Sequence, residues 1–124
     1  MRITIDEARQ YFAHPSQRNN ADPETLPVWA VYHALGGVCL LAHPMPLDGL
    51  WMVHLGVLPS AWGRVTEPAR ELLKEISAEN RVERMLAWVP EDNRHVAALC
   101  RRVGFELDGR LPLARPLLMY GWRS

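Results

Sequence analysis

The sequence predicts an α/β (α+β) domain in which helices cover a mixed β-sheet. Short β-prone runs alternate with amphipathic stretches in the order helix, three strands, helix, strand, helix, two strands, which is typical of a helix-covered sheet. Most of the ten prolines and eight glycines stand between these runs, where they separate one element from the next. Because 124 residues suffice for one core but hardly for two, we expect one domain over residues 1–124.

The first half of the chain carries the signals of one helix and three strands. Thr4 or Asp6 suits the N-cap of the helix, and Gly36-Gly37 suits a two-residue hairpin turn. The third strand is apolar on both faces, which predicts a central place in the sheet. The predicted elements are a helix over Thr4 to Ala13, a surface loop over Ser16 to Pro27, and strands over Val28 to Leu35, Gly37 to Ala42 and Leu50 to Val57.

The second half predicts two helices and three further strands. Thr66 suits the N-cap of the first of these helices, and Asp92 or Asn93 suits that of the second. Gly104 supplies a left-handed residue where the second helix ends. The predicted elements are a turn over Pro59 to Val65, a helix over Thr66 to Glu79, a strand over Met85 to Val89, a helix ending at Val103, and strands over Phe105 to Leu107 and Leu117 to Trp122.

Composition and charge exclude several classes of protein. Fourteen basic and 14 acidic side chains give a net charge of zero, without the positive surface that nucleic-acid binding needs. The two cysteines form no CxxC pair, and no apolar run reaches the length of a membrane span. We therefore expect a cytoplasmic protein with no nucleic-acid and no membrane partner.

Three features occur in the order that one enzyme superfamily shows. A strand ends in Val57-Leu58-Pro59, a turn containing Gly63 opens the next helix, and the run from Asn93 to Phe105 is NRHVAALCRRVGF. This combination resembles the GNAT superfamily, N-acyltransferases that use acetyl-CoA and carry an N-x-x-A-x-x-L-Y-x-x-x-G-F-like helix. The resemblance spans roughly Trp51 to Gly109 and implies a mostly antiparallel mixed sheet of about six strands flanked by about three or four helices. The short chain is also similar to compact GNAT-like proteins of phages and prophages.

The resemblance implies that the turn around Gly63 binds acetyl-CoA. In the family this turn has the pattern Q/R-x-x-G-x-G/A, and its N–H groups, with the helix N-terminus, bind the pyrophosphate. Here Trp62, Val65 and Glu67 stand where an Arg, a Gly and a small residue are usual. The alternative is an ordinary strand-to-helix connection in which Trp62 packs on the sheet. The implied cofactor-binding residues are Val57, Leu58, Trp62, Gly63, Arg64, Val65, Thr66 and Asn93.

Amine acetylation needs a base, an oxyanion donor and an acid near the leaving thiolate. His54 is the candidate base, because imidazole accepts a proton at neutral pH, and the alternative is a polar residue at the sheet surface. A bulge that left the N–H of Val57 or Leu58 unpaired would supply the oxyanion donor. Cys100 stands in the place of the family's Tyr, either as the acid or as core filler. Asp48, Glu91 and Asp92 are weaker candidates for the base.

Other partners follow from the remaining segments. The resemblance assigns the amine acceptor to the segments His14 to Pro27 and Asp108 to Pro116, whose charged residues Arg18, Glu24, Arg110 and Arg115 do not identify it. His33, Cys39 and His43 fit no closed zinc set, so we expect no metal. The final strand, with Tyr120 and Trp122, either presents an edge for a homodimer or lies within the sheet.

Two functions therefore compete. The first is an acetyl-CoA-dependent N-acetyltransferase acting on a primary amine of a protein, peptide or small molecule. The alternative is a catalytically inactive GNAT-fold binding or structural module. The retained His54, Asn93 and Gly104-Phe105 favour the enzyme, and the altered turn and the missing Tyr favour the module.

Overall fold

One seven-stranded sheet organises the structure, a computed structural model that describes residues 1–17 and 20–124. The strands are β1 (Arg2–Ile3), β2 (Val31–Leu35), β3 (Val38–Pro44), β4 (Leu50–Val57), β5 (Arg84–Pro90), β6 (Glu106–Leu111) and β7 (Leu117–Arg123). The helices are α1 (Ile5–Phe12), α2 (Thr66–Glu79) and α3 (Arg94–Val103). The strand order is β1-β2-β3-β4-β5-β7-β6, and only the β4–β5 pairing is parallel. The predicted mixed, mostly antiparallel sheet is confirmed.

The strand predictions err mainly at their ends. β1 was not predicted, because two residues are too few to show a period. β2 begins at Val31 rather than Val28, and Val28 and Trp29 are exposed instead of paired. Asp108-Gly109 does not end a strand, because β6 continues through it with a register shift between Leu107 and Gly109.

The helix caps follow the sequence signals at two of three helices. Thr4 caps α1 in a capping box with Glu7, and the Asn93 side chain accepts from the Val96 N–H at 3.4 Å. Thr66 as an N-cap is wrong. Val65 occupies that position without a side-chain hydrogen bond, so the first turn of α2 keeps free N–H groups.

The helices divide between the two faces of the sheet. α2 and α3 cover one face, where they bury Leu72, Ile76 and Leu99 against β3, β4 and β5. α1 covers the other face, where Phe12 packs among residues of β2 and β3. Burial of these apolar side chains is the main favourable contribution to folding. No helix in the described part of the chain is long and apolar enough to cross a membrane.

Two features of strand pairing position the site. β4 and β5 pair only over Leu50 to Met52 and Arg84 to Leu86, and beyond these residues the two strands separate. β7 lies between β5 and β6, so the final strand is inside the sheet and offers no free edge. A homodimer remains a prediction, but this strand cannot form it by edge pairing.

Candidate active site

A cleft opens in the sheet where β4 and β5 separate. Its cavity has a volume of about 280 Å³ and extends between the sheet and α3. Most of its lining is apolar, with Val53 and Leu55 from β4, Val89 from β5, and Val96 and Leu99 from α3. A few polar groups reach it, as is usual for a pocket that orients a small ligand. They belong to Asn20, His54, Asn93, Cys100 and Arg115.

The β4 edge facing this cleft has backbone groups without a strand partner. The Leu58 N–H donates to the Gly37 carbonyl at 2.9 Å, which makes Val38 and Val57 a non-hydrogen-bonded pair. The Val57 N–H therefore points away from β3, toward the space that β5 has left. On the same edge, the Asn20 side chain donates to the Leu55 carbonyl at 2.7 Å.

This arrangement corrects the oxyanion-donor prediction. Leu58 is not available, because its N–H is already bonded to Gly37. The pairing of β3 with β4 runs regularly from Val38–Val57 to Pro44–Trp51, so no bulge exists there. The separation of β4 from β5, rather than a bulge, leaves the Val57 N–H directed toward the side that β5 has left.

An open groove of about 800 Å³ lies beside the cleft, at the N-terminus of α2. Among the described residues, the N–H groups of Gly63, Val65, Thr66 and Glu67 have no backbone acceptor. Pro68 has no N–H to offer. Gly63 has a φ of +83°, and a Cβ there would meet nothing within 4 Å. Free N–H groups and the positive end of a helix suit an anion.

The side chains of the turn mostly leave this groove open. Trp62 does not pack on the sheet. It is 51% exposed, with its ring edge-on to His14, and Ala61 is the buried residue instead. The Arg64 guanidinium donates to the Ser60 carbonyl, and Glu67 is paired with Arg70 at 2.6 Å. Glu67 is therefore partly neutralised where an anion would approach.

Two arginines near the groove were missed by sequence reasoning. Arg102 of α3 donates from Nε to the Thr66 hydroxyl at 3.3 Å, and Arg70 donates to the Arg102 carbonyl. Both lie within reach of the α2 N-terminus but come from helices rather than from the turn. In the sequence, both arginines stand on the polar faces of amphipathic helices. That position does not reveal which part of a neighbouring helix each side chain contacts.

His54 lies on the α1 side of the cleft and is paired with His43. The two Nε2 atoms are 3.4 Å apart and the rings are stacked. Burial, and then the neighbouring His43, lower the pKa of His54 from 6.5 to about 4. His54 is therefore neutral at pH 7 and can accept a proton, but it holds that proton weakly. His43 is the nearest group to which the proton can pass.

Cys100 and Asn93 both face the cleft from α3. Burial raises the pKa of the Cys100 thiol to about 11, so it is protonated at neutral pH. Asn93 caps α3 with its carbonyl oxygen and lines the cleft at the same time. The two roles offered for Asn93 by the sequence are thus compatible in the structure.

The acidic residues next to Asn93 are held in ion pairs. Glu91 is bound by Arg110 and Asp92 by Arg115, which tie the β5–α3 connection to the β6–β7 hairpin. Arg110 lowers the pKa of the Glu91 carboxyl, and Glu91, unlike His54, does not line the cleft. Asn20 and Arg115 bring both predicted acceptor segments to the cleft, while Arg18 lies outside the described residues.

Comparison with solved structures identifies this arrangement. A GNAT-family acetyltransferase from Bacillus anthracis superposes with a TM-score of 0.60 at 15% identity, covering 69% of this chain and 57% of its own. The chain has the GNAT acetyltransferase fold. Ribosomal-protein-S5-alanine acetyltransferase from Vibrio fischeri has the same GNAT fold, with a TM-score of 0.72 at 11% identity over 99% of this chain and 91% of its own.

One of the similar solved structures contains acetyl-CoA. Microcin C7 self-immunity acetyltransferase MccE, in complex with acetyl-CoA and AMP, superposes with a TM-score of 0.59 at 16% identity over 71% of this chain. The present chain spans little more than half of two of these proteins, 57% of the Bacillus anthracis enzyme and 54% of MccE. No family model and no curated protein sequence matches the chain.

Proposed function

We propose that the chain is an acetyl-CoA-dependent N-acetyltransferase of the cytoplasm that transfers an acetyl group to a primary amine. The observation that carries this proposal is the juxtaposition of the apolar cleft with the groove at the α2 N-terminus. The cleft suits the thin, amide-containing pantetheine arm of acetyl-CoA, and the groove suits its pyrophosphate. The complex of MccE with acetyl-CoA supports this use of the fold, as does a complex of RimL, a ribosomal L7/L12 α-N-protein acetyltransferase whose structure is also similar, with coenzyme A.

The cofactor would bind mainly to backbone groups. The free N–H groups around Gly63 and Thr66 would hold the pyrophosphate, with Arg102 close by. The pantetheine arm would enter the cleft along the edge of β4 from which β5 has separated. Backbone donors explain how a protein with zero net charge can bind a polyanion without a cluster of lysines.

The reaction would then use groups in the cleft and beside it. The amine nitrogen attacks the thioester carbon, a C–N bond forms, and the C–S bond breaks. The Val57 N–H would stabilise the oxyanion, and His54 would take the ammonium proton and pass it to His43. Cys100 would protonate the leaving thiolate, and the second proton that the nitrogen loses as the amide forms would restore the Cys100 thiol.

Release of the CoA thiol in the presence of amine acceptors tests the proposal. Peptides beginning with alanine or serine are the first acceptors to try. The Vibrio fischeri neighbour is a ribosomal-protein-S5-alanine acetyltransferase, and a neighbour from Salmonella typhimurium modifies the N-terminal serine of ribosomal protein L7/L12. Lysine and polyamines extend the panel. We expect acceptor-dependent thiol release that falls at least about 100-fold in Cys100→Ala while acetyl-CoA affinity stays unchanged. Equal activity in Cys100→Ala would remove Cys100 from the mechanism.

A catalytically inactive binding module is the second candidate. Val65 and Glu67 in the turn and a buried thiol in place of Tyr favour it. Measurements of acetyl-CoA binding and of turnover distinguish the two candidates. Acetyl-CoA binding without turnover on any acceptor would favour the module, and acceptor-dependent turnover would exclude it.

A further inference from the structure

A separate polar cluster lies under α2, apart from the cleft. His33 of β2 is fully buried, and Glu75 and Glu79 reach its ring from successive turns of α2. His33 Nδ1 is 3.1 Å from Glu75 Oε1, and Nε2 is 3.4 Å from Glu79 Oε2. One nitrogen or oxygen atom from each of the three residues lies within 4.8 Å of the other two.

The His33 ring has one nitrogen with no satisfactory partner. A carboxylate only accepts hydrogen bonds, so Nδ1 must carry the proton in its contact with Glu75. In a neutral ring, Nε2 then directs a lone pair toward Glu79, which is another acceptor. Nε2 is buried and has no hydrogen-bond partner within residues 1–17 and 20–124. Two acceptors that face each other at a buried atom are unfavourable unless a proton or a metal ion lies between them.

The terminal ammonium of Met1 pairs with Glu75 rather than with Glu79. The terminal ammonium of Met1 lies 2.8 Å from Glu75 and also donates to the Ala34 carbonyl. Arg2 is the register partner of His33 on β1, but it forms no ion pair with either glutamate in the described part of the chain. Among residues 1–17 and 20–124, the ring of His33 is the one basic group that forms an ion pair with Glu79.

We propose that His33, Glu75 and Glu79 bind a divalent first-row transition ion. One imidazole nitrogen and two carboxylates form a donor set that suits Zn²⁺ or Mn²⁺, and two negative charges balance the ion. Tetrahedral ligands at about 2.1 Å from zinc stand about 3.4 Å apart, close to the spacing of His33 and Glu79. The side chains of Glu75 and Glu79 are 31% and 49% exposed, so ions can enter and the carboxylates can turn.

The ion would link the C-terminal half of α2 to β2. Glu79 is 13 residues beyond Thr66, a separation of about 20 Å along the helix, so the ion site and the phosphate groove are distinct. The expectation of no metal considered His33 only with Cys39 and His43. The ligands it missed come 42 residues later in the case of Glu75, with Glu79 one helical turn beyond.

Titration of the chelator-treated full chain with ZnCl₂, and separately with MnCl₂, tests the site by calorimetry and thermal unfolding. We expect one ion per chain and a raised melting temperature. Glu75→Gln and Glu79→Gln should each weaken ion binding by at least about tenfold, since even outer-shell changes cost about that much. The matched control is Glu71→Gln, on the same helix and paired with Lys74, and it should leave ion binding unchanged.

Three results would overturn the site. The first is that neither ion binds. The second is binding that survives both Glu75→Gln and Glu79→Gln, which would mean an adventitious ion only. The third is a His33 ring whose signals do not respond to the ion. The last result would assign the cluster to an imidazolium held between two carboxylates. Ring ¹⁵N shifts of His33 with and without ZnCl₂ distinguish these cases, and they do not depend on whether acetyl-CoA binds.

Discussion

The cleft between β4 and β5 and the groove at the α2 N-terminus are neighbours, but they are built in different ways. The cleft is apolar and lies between the sheet and α3, and its shape depends on side-chain volume at Val53, Val96 and Leu99. The groove is open, and its donors are backbone N–H groups around Gly63 and Thr66. Substitutions in the turn therefore remove few donors, whereas a substitution in the cleft changes the space available to a ligand.

Filling the cleft should have the largest effect. Val96 is half-buried and lines the cleft from α3, so Val96→Trp would occupy the space of the pantetheine arm. We expect the acetyl-CoA-induced rise in melting temperature to disappear, and Val96→Ile to retain it. Measurement of both unliganded variants shows whether they fold. Full acetyl-CoA binding by a folded Val96→Trp would place the cofactor elsewhere.

The burial of His54 beside the cleft predicts that the stability of the fold depends on pH. Unfolded His54 binds a proton near its ordinary pKa of 6.5 and folded His54 only near 4, so the unfolded chain binds more protons between these values. The free energy of unfolding should therefore fall as the pH falls through this window, by about 3 kcal/mol in total. His54→Gln should flatten this slope in denaturant titrations, and the exposed His95→Gln should not. Equal slopes in all three proteins would contradict the burial of His54.

A charge placed in the groove should act more weakly. Gly63 has a positive φ and an open side, where both Asp and Asn are tolerated. Gly63→Asp should weaken acetyl-CoA binding about fivefold, because like charges about 4 Å apart in water cost about 1 kcal/mol. Gly63→Asn carries the same shape and strain without the charge, so it should bind nearly as tightly as the parent protein. Calorimetry that finds equal losses in both variants would attribute the effect to strain rather than to phosphate repulsion.

Removing the tryptophan of the turn should have the smallest effect. Trp62 is half-exposed and contacts His14 rather than the sheet. Trp62→Ala should change acetyl-CoA affinity by less than about twofold, because exposed substitutions away from buried contacts change free energies little. A loss of tenfold or more in the same titration would show that the side chain, and not the backbone, forms the groove.

The sequence predicted the parts of the fold that depend on local signals. Thr4, Asn93 and Gly104 cap helices as expected, because each acts on backbone groups a few residues away. The two apolar faces of Leu50 to Val57 predicted a central strand, and β4 is the fourth of the seven strands in the sheet. These inferences needed no knowledge of distant contacts.

The remaining features depend on contacts between residues far apart in the chain. Leu58 was predicted as a free donor on the expectation of a bulge, but the regular register of β3 and β4 bonds its N–H to Gly37. The pairing of His54 with His43 and of Asn20 with the Leu55 carbonyl likewise joins separate elements. Thr66 is the first residue of α2 rather than its N-cap, and Val65 holds the N-cap position.

Thermal unfolding with and without acetyl-CoA tests the central claim most directly. At about 100 times its dissociation constant, a ligand that binds only the folded chain stabilises it by about 2.7 kcal/mol. For a domain of this size we therefore expect the melting temperature to rise by several degrees in millimolar acetyl-CoA, with no rise for Val96→Trp. An unchanged melting temperature for the parent protein at millimolar acetyl-CoA would contradict the proposal that this GNAT fold binds its cofactor.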